Sequence, residues 1–532
     1  MKKSFVIAAI AAITASQIAV GITPASAANY PVYVAPVASG VSLSVVGTVG
    51  DVVNGYQIVG IPDGMGLIKE GKKLSLITNH ELSPTNAVVA ARSTAGGAAL
   101  GSFVSKITLD PKTLKPVAAQ DLFSKVSWYD YTNRTWTSAP TAPLGASLKD
   151  AYGTPNHTNA FNRFCSATLA PAGTFYNKKT GAGFKDALYL TGEEGGDESR
   201  GFVSTMDGDV AQIPAFGLAA WENFIPVPTN NDVTAVMSNE DGAAISSQLF
   251  MYVGKKQKSG SFYQKAGFTN GKNYVLSGFP GDDNQIRTMF GKNSPIPVEF
   301  TEINYLLNGK EQNDKALEKG LRLSRVEDGH FDPKNPNDYY FVTTESNKDP
   351  KATTGNPEFP GASRDGGALW RLRFDDVSNP LKGGTLEMLL DGSEDVYMSK
   401  PDNITIDNKG NLLIQEDPGG NDALARIVAY RISDGALGVV AKFKDQYFKK
   451  GGANFITTDE ESSGIIDVTS FLKKGSSDKT TYFMFNAQVH APAAKARMDI
   501  TDATAVANLA TAIEGGQWYV MRIADWKKVY GF

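Results

Sequence analysis

The feature that most constrains this fold is a pattern that recurs along the chain, in which an apolar strand runs directly into polar or acidic residues. It occurs six times, at residues 74–81, 187–194, 234–241, 339–345, 411–417 and 482–490. A single acidic residue after a strand is a common turn former, so one case carries little information. Six similar cases along one chain indicate a repeated supersecondary unit.

The repeat predicts an all-β fold, a six-bladed β-propeller with long loop and short helical insertions. Dividing the sequence after residue 27 by six gives about 84 residues per unit, whereas a propeller blade takes roughly 40–45. Further strand patterns cover 101–109, 369–374 and 427–432, helical patterns cover 315–323 and 501–514, and the aromatic stretch 128–136 is typical of an elaborated loop at the channel mouth. In a propeller the equivalent strands would bring their polar ends to one end of a central channel.

The N-terminal residues predict export. Lys2 and Lys3 precede an apolar stretch over 5–22, and Ala25-Ser26-Ala27 has the small-residue pattern of a cleavage site. We therefore expect a Sec-type signal peptide over residues 1–27, cleaved after Ala27, and a single propeller domain over 28–532. The mature protein would be secreted or held in the cell envelope. The sequence has no second apolar run of 18 residues, so we expect no stable membrane insertion.

Composition excludes some classes of protein. The formal net charge is −4, which lacks the basic surplus of a nucleic-acid-binding protein, so we expect no nucleic-acid binding. The single cysteine, Cys165, cannot form an intramolecular disulfide. A lone cysteine in apolar surroundings usually packs in a core, although a neighbouring metal would make its thiolate a ligand. We expect a monomer.

The acidic residues at the strand ends carry the chemistry. Converging carboxylates raise one another's pKa values, and a multivalent cation would cancel their repulsion. Oxygen ligands at this density suit Ca²⁺, Mg²⁺, Mn²⁺ or Fe³⁺ better than structural zinc. The alternative is a set of independent turn carboxylates that face solvent. The sequence has no G-x-S-x-G nucleophile elbow and no H-E-x-x-H helix.

An ordered set of short segments resembles the PhoX-type alkaline phosphatase superfamily, bacterial secreted enzymes and their uncharacterised relatives. The matching segments are 63–66 (DGMG), 78–82 (TNHEL), 163–166 (RFCS), 191–194 (TGEE), 220–223 (AWEN), 252–254 (YVG), 325–329 (RVEDG), 343–345 (TTE) and 401–403 (PDN). They extend over almost the whole chain after the signal peptide.

The resemblance implies a metal-dependent phosphomonoesterase that acts on a small-molecule phosphoester. It implies a propeller channel that holds Fe³⁺ and Ca²⁺ ions, with a cysteine among the iron ligands. Carried over to this sequence, it gives Arg325 as a phosphate-contacting arginine. It gives as metal-binding residues Glu81, Cys165, Glu193, Glu194, Glu327, Asp328, Asp402, Glu416 and Asp417.

Two other functions remain open on the same fold. Residues 401–411 also look like a strand-turn-strand of Ca²⁺-dependent lactonase or esterase propellers, and a non-catalytic Ca²⁺-stabilised binding propeller is the third possibility.

Arg325 itself is open to two interpretations. If the chain is extended there, strand alternation puts Leu323, Arg325 and Glu327 on one face, but an arginine beside a carboxylate can also be a structural ion pair.

Overall fold

The computed structural model describes residues 31–85, 100–344, 366–419 and 423–531. The predicted signal peptide and Glu345, the acidic end of the fourth repeat, lie outside the described residues. None of the helices in these ranges is long and apolar enough to cross a lipid bilayer.

Short strands dominate the described chain. Those before residue 220 are β1 (Val34–Pro36), β2 (Val41–Thr48), β3 (Val52–Val53), β4 (Tyr56–Gln57), β5 (Pro62–Glu70), β6 (Lys73–His80), β7 (Leu100–Gly101), β8 (Phe103–Leu109), β9 (Pro116–Asp121), β10 (Lys125–Asp130), β11 (Thr135–Thr137), β12 (Ala160–Phe161), β13 (Phe164–Ala170), β14 (Tyr176–Asn177), β15 (Ala182–Gly183), β16 (Leu188–Glu193), β17 (Gly201–Thr205) and β18 (Asp209–Gln212).

The strands after residue 220 are also mostly short. They are β19 (Trp221–Pro226), β20 (Val233–Glu240), β21 (Leu249–Lys255), β22 (Lys272–Ser277), β23 (Ile296–Ile303), β24 (Val326–Phe331), β25 (Asp338–Thr343), β26 (Ala368–Phe374), β27 (Gly384–Leu390), β28 (Pro401–Ile406), β29 (Asn411–Glu416), β30 (Arg426–Arg431), β31 (Leu437–Phe443), β32 (Glu460–Asp467), β33 (Thr481–Pro492) and β34 (Glu514–Ile523).

Helices are short and lie between strands. They are α1 (Phe262–Ala266), α2 (Asp283–Met289), α3 (Gly309–Lys319), α4 (Asp445–Phe448), α5 (Thr469–Leu472), α6 (Ala493–Ala496), α7 (Ala503–Asn508) and α8 (Trp526–Val529), with 3₁₀ turns at Pro214–Phe216, Pro380–Lys382 and Leu509–Ala512. The helix predicted over 315–323 is misplaced. Asn308 caps α3 by accepting a hydrogen bond from the backbone of Glu311, and the helix stops before Gly320.

The sheets are almost wholly antiparallel. The larger ones have the strand orders β11-β10-β18-β17-β16-β13-β5-β6-β8-β9, β19-β20-β21-β22-β23-β27-β26-β25-β24, β1-β31-β30-β29-β28 and β2-β34-β33-β32. In the last of these, β2 pairs along its length with β34, so the beginning and the end of the described chain share one sheet. The aromatic stretch predicted as a loop instead forms the β10–β11 hairpin at the outer edge of the ten-stranded sheet.

Six strands line the centre of the molecule. These inner strands are β5, β13, β19, β24, β28 and β32. In the described part of the chain each contacts the next, and β32 contacts β5, which closes a ring. The architecture is therefore all-β, with sheets curled around a common centre, as in a propeller.

The core lies between neighbouring sheets. One cluster packs Leu190 and Val203 of the ten-stranded sheet against Phe224, Val236 and Phe250 of the nine-stranded sheet. Strands covered on both faces, such as β16, β25 and β29, are buried at every position. Their near-continuous apolar sequences follow from that double burial and make helix and strand hard to separate by periodicity alone.

Candidate metal centre

Each inner strand delivers its second residue to one end of the central channel. These residues are Asp63, Cys165, Glu222, Glu327, Asp402 and Glu461. All six are buried, with no more than 8% of the residue surface exposed. Five are carboxylates and one is a thiol, although the strands that carry them have little sequence in common.

A second set comes from the strands that pair with the inner strands. Five of its members directly follow such a strand and the sixth, His490, lies near the end of β33: the set is Glu81, Glu194, Asp241, Thr344, Asp417 and His490. The backbone N–H of each donates a hydrogen bond of 2.9–3.0 Å to the residue just before an inner strand, namely Ile61, Arg163, Ala220, Arg325, Lys400 and Asp459. This common bond shows that the six positions are structurally equivalent.

Every inner strand contains a register shift near the residue that it contributes to the channel. The pairing breaks between Pro62 and Met65 in β5 and between Phe164 and Ala167 in β13. Corresponding shifts occur in β19, β24 and β28, whereas in β32 the shift lies between Ser463 and Ile466, beyond Glu461. Bulges of this kind bend a strand locally and redirect a side chain, and they are frequent beside active sites.

The two sets meet in a continuous cluster. Four overlapping groups have ligand atoms within 4.8 Å of one another: Asp63–Glu81–Cys165, Cys165–Glu194–Glu222, Glu222–Glu327–Asp402 and Asp402–Asp417–Glu461. We call these nine residues the acidic cluster. The Cys165 Sγ lies 3.2 Å from Oδ2 of Asp63, so the thiol is inside the cluster and not in an apolar core.

Burial makes the acidic cluster electrostatically strained without a cation. It raises the pKa of Glu81 to about 8, with Arg163 opposing the shift and Glu194 adding to it. Burial, helped by Glu461, raises the pKa of Asp417 to about 7. Burial and Asp63 raise the pKa of the Cys165 thiol well above its usual value. Each raised pKa means that the metal-free site disfavours the ionised form of the group. A bound cation would stabilise that ionised form.

Basic residues border the acidic cluster at equivalent positions. Arg163, Arg325 and Lys400 each precede an inner strand with a left-handed backbone, at φ values of 49°, 60° and 47°. Arg163 Nη2 lies 2.6 Å from Glu81 and 2.8 Å from Glu194. These residues carry positive charge to the rim of an otherwise acidic site.

Arg325 combines an ion pair with access to the site. Its Nε and Nη2 donate to the two carboxylate oxygens of Asp241 at 2.8 and 2.7 Å, and Nη2 is 3.4 Å from Glu327. The chain is not extended at this residue, since β24 begins only at Val326. The left-handed turn, and not the alternation of a strand, brings Arg325 and Glu327 to the same side. Its side chain is 28% exposed.

The structure brings most of the predicted metal-binding residues into the acidic cluster and leaves three outside its groups. Those inside are Glu81, Cys165, Glu194, Glu327, Asp402 and Asp417. Glu193 is instead bound by Arg200 at 2.7 and 2.8 Å, and Glu416 by Arg426 at 2.7 and 2.9 Å. Within the pairs Glu193-Glu194 and Glu416-Asp417, therefore, the second residue faces the channel and the first is held within its sheet.

Asp328 also lies outside the cluster groups, one layer further along β24. It accepts hydrogen bonds from Asn223 Nδ2 at 2.6 Å and from the backbone of Gly329 and Ile404. Burial raises its pKa to about 6. Asp328 and Asn223 line a cavity of about 1270 Å³ that is bounded by apolar residues such as Leu67 and Phe331 and by none of the nine cluster residues. That cavity is distinct from the acidic site.

Sequence reasoning missed Asp63, Glu222 and Glu461. Each sits near the start of an inner strand: Asp63 and Glu222 have no acidic neighbour in the sequence, and Glu461 ends the acidic run 459–461, which lies at the start of its strand and does not follow one. A signal was nevertheless present, because Asp63 and Glu222 fall within segments 63–66 and 220–223 of the resemblance. Aligning the starts of the inner strands would have shown one ligand-type residue at the same position in each.

The cluster residues fit a multivalent cation. Asp63 Oδ1 and Glu222 Oε2 are buried and have no hydrogen-bond partner among the described residues. A buried unpaired carboxylate oxygen is costly unless a cation or a proton satisfies it. The donor set of eight carboxylates and one thiol suits hard cations such as Ca²⁺, together with one cation that tolerates sulfur, such as Fe³⁺.

Comparison with known proteins agrees with this architecture. The family model of alkaline phosphatase PhoX matches residues 211–473. The structure of Pseudomonas fluorescens PhoX in complex with vanadate, a transition state analogue, aligns with a TM-score of 0.60 and 12% identity, covering 94% of this chain and 97% of that chain.

A second solved structure is more distant. The Penicillium chrysogenum alpha-L-arabinanase complexed with arabinobiose aligns at a TM-score of 0.38 and 9% identity, covering 92% of this chain and 99% of that one. This score is too low to support an argument. No curated protein sequence matches the chain significantly. The family model therefore relates residues 211–473, just under half of the chain, to the PhoX alkaline phosphatase family, in agreement with the segments identified in the sequence.

Proposed function

We propose that the protein is a secreted, metal-dependent phosphomonoesterase whose active site is the acidic cluster. The observation that carries the proposal is the meeting of nine ligand-type side chains with Arg163 and Arg325 at one end of a closed ring of strands. The match of residues 211–473 to the PhoX family model supports phosphate chemistry at this site over the lactonase and pure binding alternatives.

The proposal includes a six-bladed propeller. The strand orders divide into six antiparallel groups of four, each beginning with an inner strand: β5-β6-β8-β9, β13-β16-β17-β18, β19-β20-β21-β22, β24-β25-β26-β27, β28-β29-β30-β31 and β32-β33-β34-β2. The last group takes its fourth strand from the beginning of the described chain. That exchange would close the ring and leave no open edge between the first and last blades.

Ca²⁺ and Fe³⁺ are the proposed cofactors. Asp63, Glu81, Cys165, Glu194 and Glu222 would hold the sulfur-tolerant ion, since Cys165 is shared by two groups. The remaining carboxylates, Glu327, Asp402, Asp417 and Glu461, offer oxygen alone and suit Ca²⁺. When bound, such cations polarise the phosphate and lower the pKa of water.

The chain's own residues would bind and orient the substrate. Hydrolysis breaks the P–O ester bond while a water oxygen bonds to phosphorus, and the alcohol leaves with a proton. Arg325 presents a planar fork of donors toward the cluster, a geometry that matches phosphate oxygens. Asp241 holds two of those donors and so fixes the orientation of the guanidinium group. Charge-assisted bonds from Arg325 would thus orient the phosphate against the cluster.

Assay of the purified mature protein on a model phosphomonoester tests the proposal. We expect turnover that is lost on treatment with a chelator and restored by Ca²⁺ with iron. Elemental analysis of the natively purified protein should find both metals. Metal-loaded protein without turnover on any phosphoester would refute the proposed activity. Turnover on a panel of lactones or carboxylesters would then favour the lactonase alternative, and a chelator effect on melting alone would favour a binding protein.

Export and oligomeric state are separate parts of the proposal. We expect the mature chain to begin at Ala28, because cleavage follows Ala27. N-terminal sequencing of protein recovered outside the cytoplasm would check this. Light scattering should give the mass of a monomer.

A further inference from the structure

Two buried Asn–Tyr pairs contact the main chain of cluster residues. In the first pair, Nδ2 of Asn79 donates to the carbonyl oxygen of Cys165 at 2.7 Å, and the single proton of the Tyr189 hydroxyl is shared between Oδ1 of Asn79 at 2.9 Å and the carbonyl oxygen of Gly64 at 3.0 Å. In the second pair, Nδ2 of Asn239 donates to the carbonyl oxygen of Glu327, and the Tyr339 hydroxyl donates to Oδ1 of Asn239 at 2.8 Å. All four polar side chains of the pairs are fully buried.

The two pairs occupy equivalent places in the fold. Asn79 and Asn239 each precede the last residue of the strand that pairs with an inner strand, β6 or β20. Each reaches the inner strand of the next four-stranded group, and the tyrosine comes from the strand that pairs with that inner strand, β16 or β25. The same arrangement of an asparagine, a tyrosine and a cluster residue therefore appears twice, two groups apart.

The register shifts explain why an amide is needed there. Cys165 and Ser166 lie between the paired residues Phe164 and Ala167, where the ladder with β16 is interrupted. Asn79 donates to the carbonyl of Cys165 and, at 3.3 Å, to that of Ser166. Glu327 lies in the corresponding shift between Val326 and Gly329. A buried carbonyl outside the ladder requires another donor, and the asparagine supplies it.

We propose that Tyr189 and Tyr339 are positioning residues for the metal centre, which act through Asn79 and Asn239. This inference rests on the metal-binding part of the proposed function. An amide can present either its N or its O to a neighbour, and the tyrosine hydroxyl selects the orientation in which the N faces the ligand-bearing carbonyl. With that carbonyl fixed, the Cα–Cβ direction of Cys165 or Glu327 is fixed as well. Partners of this kind, one step removed from the ligands, commonly set metal affinity.

Single hydroxyl deletions separate positioning from simple stabilisation. The variants are Tyr189→Phe and Tyr339→Phe, each of which keeps the ring and removes one donor. The matched control is Tyr252→Phe, since Tyr252 is also fully buried and donates its hydroxyl to a backbone carbonyl, that of Gly267, at 2.7 Å. Tyr252 contacts none of the acidic cluster. A purely structural role predicts similar behaviour for all three variants.

The experiment measures the affinity of the mature protein for Ca²⁺ and for iron by competition with chelators, and its melting temperature in the metal-free state. We expect comparable losses of melting temperature in all three variants. We expect affinity to fall by about 10- to 100-fold for iron in Tyr189→Phe, which acts on Cys165, and for Ca²⁺ in Tyr339→Phe, which acts on Glu327, with neither loss in Tyr252→Phe. Affinities equal to that of Tyr252→Phe would overturn the inference. The two test variants are independent, so one that does not fold leaves the other to decide.

The outcomes also separate this inference from the proposed activity. A wild-type protein that binds Ca²⁺ but hydrolyses no phosphoester would refute the activity while leaving the positioning role in place. Normal phosphatase activity with unchanged iron affinity in Tyr189→Phe and unchanged Ca²⁺ affinity in Tyr339→Phe would refute the positioning role and leave the proposed activity in place. A wild-type protein that binds no cation would overturn both.

Discussion

Glu416 and Asp417 are adjacent acidic residues for which the structure predicts opposite effects of substitution. Glu416 is fully buried and accepts hydrogen bonds from Arg426 Nε and Nη2 and, at 2.8 Å, from the backbone of Ser399. Asp417 faces the channel in a group with Asp402 and Glu461. Replacing each by its amide removes one charge with little change of shape.

The loss in free energy of unfolding expected for Glu416→Gln follows from the environment of Arg426. The Arg426 side chain is only 8% exposed, so Glu416→Gln removes the counter-charge that Glu416 supplies to a buried guanidinium. Breaking a buried pair in this way costs about 3–5 kcal/mol. Arg426 also donates to the carbonyl of Tyr397 and lies 4.5 Å from the centre of its ring. Because these contacts remain in the variant, we expect the lower end of that range.

Asp417→Asn should act on metal binding and not on the fold. Burial raises the pKa of Asp417 to about 7, with Glu461 adding to the shift, so the charged form is poorly stabilised in the metal-free protein. Removing that charge relieves repulsion. We therefore expect unchanged or higher stability of metal-free Asp417→Asn, and weaker cation binding.

Urea denaturation in EDTA and in Ca²⁺, with Ca²⁺ titration of each variant, measures both effects. Glu416→Gln should unfold at lower urea in both conditions and keep its cation affinity. Asp417→Asn should be at least as stable as the wild type in EDTA and gain less stability from Ca²⁺. Loss of cation binding in Glu416→Gln without loss of stability would refute the assignment, because it would make Glu416 the ligand.

Three further predictions address the metal centre. Chelation of the wild-type protein should lower the melting temperature, since a cation at about a thousand times its dissociation constant stabilises the fold by ~4 kcal/mol; an unchanged calorimetric transition in EDTA would mean that the cluster binds no cation. Cys165→Ser should keep the fold but lose iron and activity, measured by elemental analysis and turnover, and retained iron would remove Cys165 from the site. Arg325→Lys should keep metal and fold but weaken both turnover and inhibition by inorganic phosphate, because lysine lacks the planar fork of donors. Arg373→Lys is its matched control, since Arg373 forms a similar two-donor pair with Asp338 away from the cluster. Unchanged turnover and phosphate inhibition in Arg325→Lys would exclude the phosphate contact.

Several properties followed from the sequence by itself. Apolar runs of four to eight residues between turn signals are too short for most helices, so their length, and not their periodicity, made the all-β class readable from the chain. The recurrence of acidic residues after those runs implied convergence at one place, and Glu81, Glu194 and Asp417 do lie together. The short segments around Cys165, Glu327 and Asp402 identified the family. These are properties of residue type and order, which a sequence states directly.

Tertiary structure decided which residues face the channel. Glu193 and Glu194 are chemically alike, and only the pairing of Phe164 with Glu193 turns the first toward Arg200 and the second toward the cluster. Asp63 and Glu222 join the cluster because each lies in an inner strand next to a register shift. Facing in a strand alternates with every residue, so one unpaired position reverses it. Bonds between strands far apart in the chain set that register, and residue order alone does not specify them.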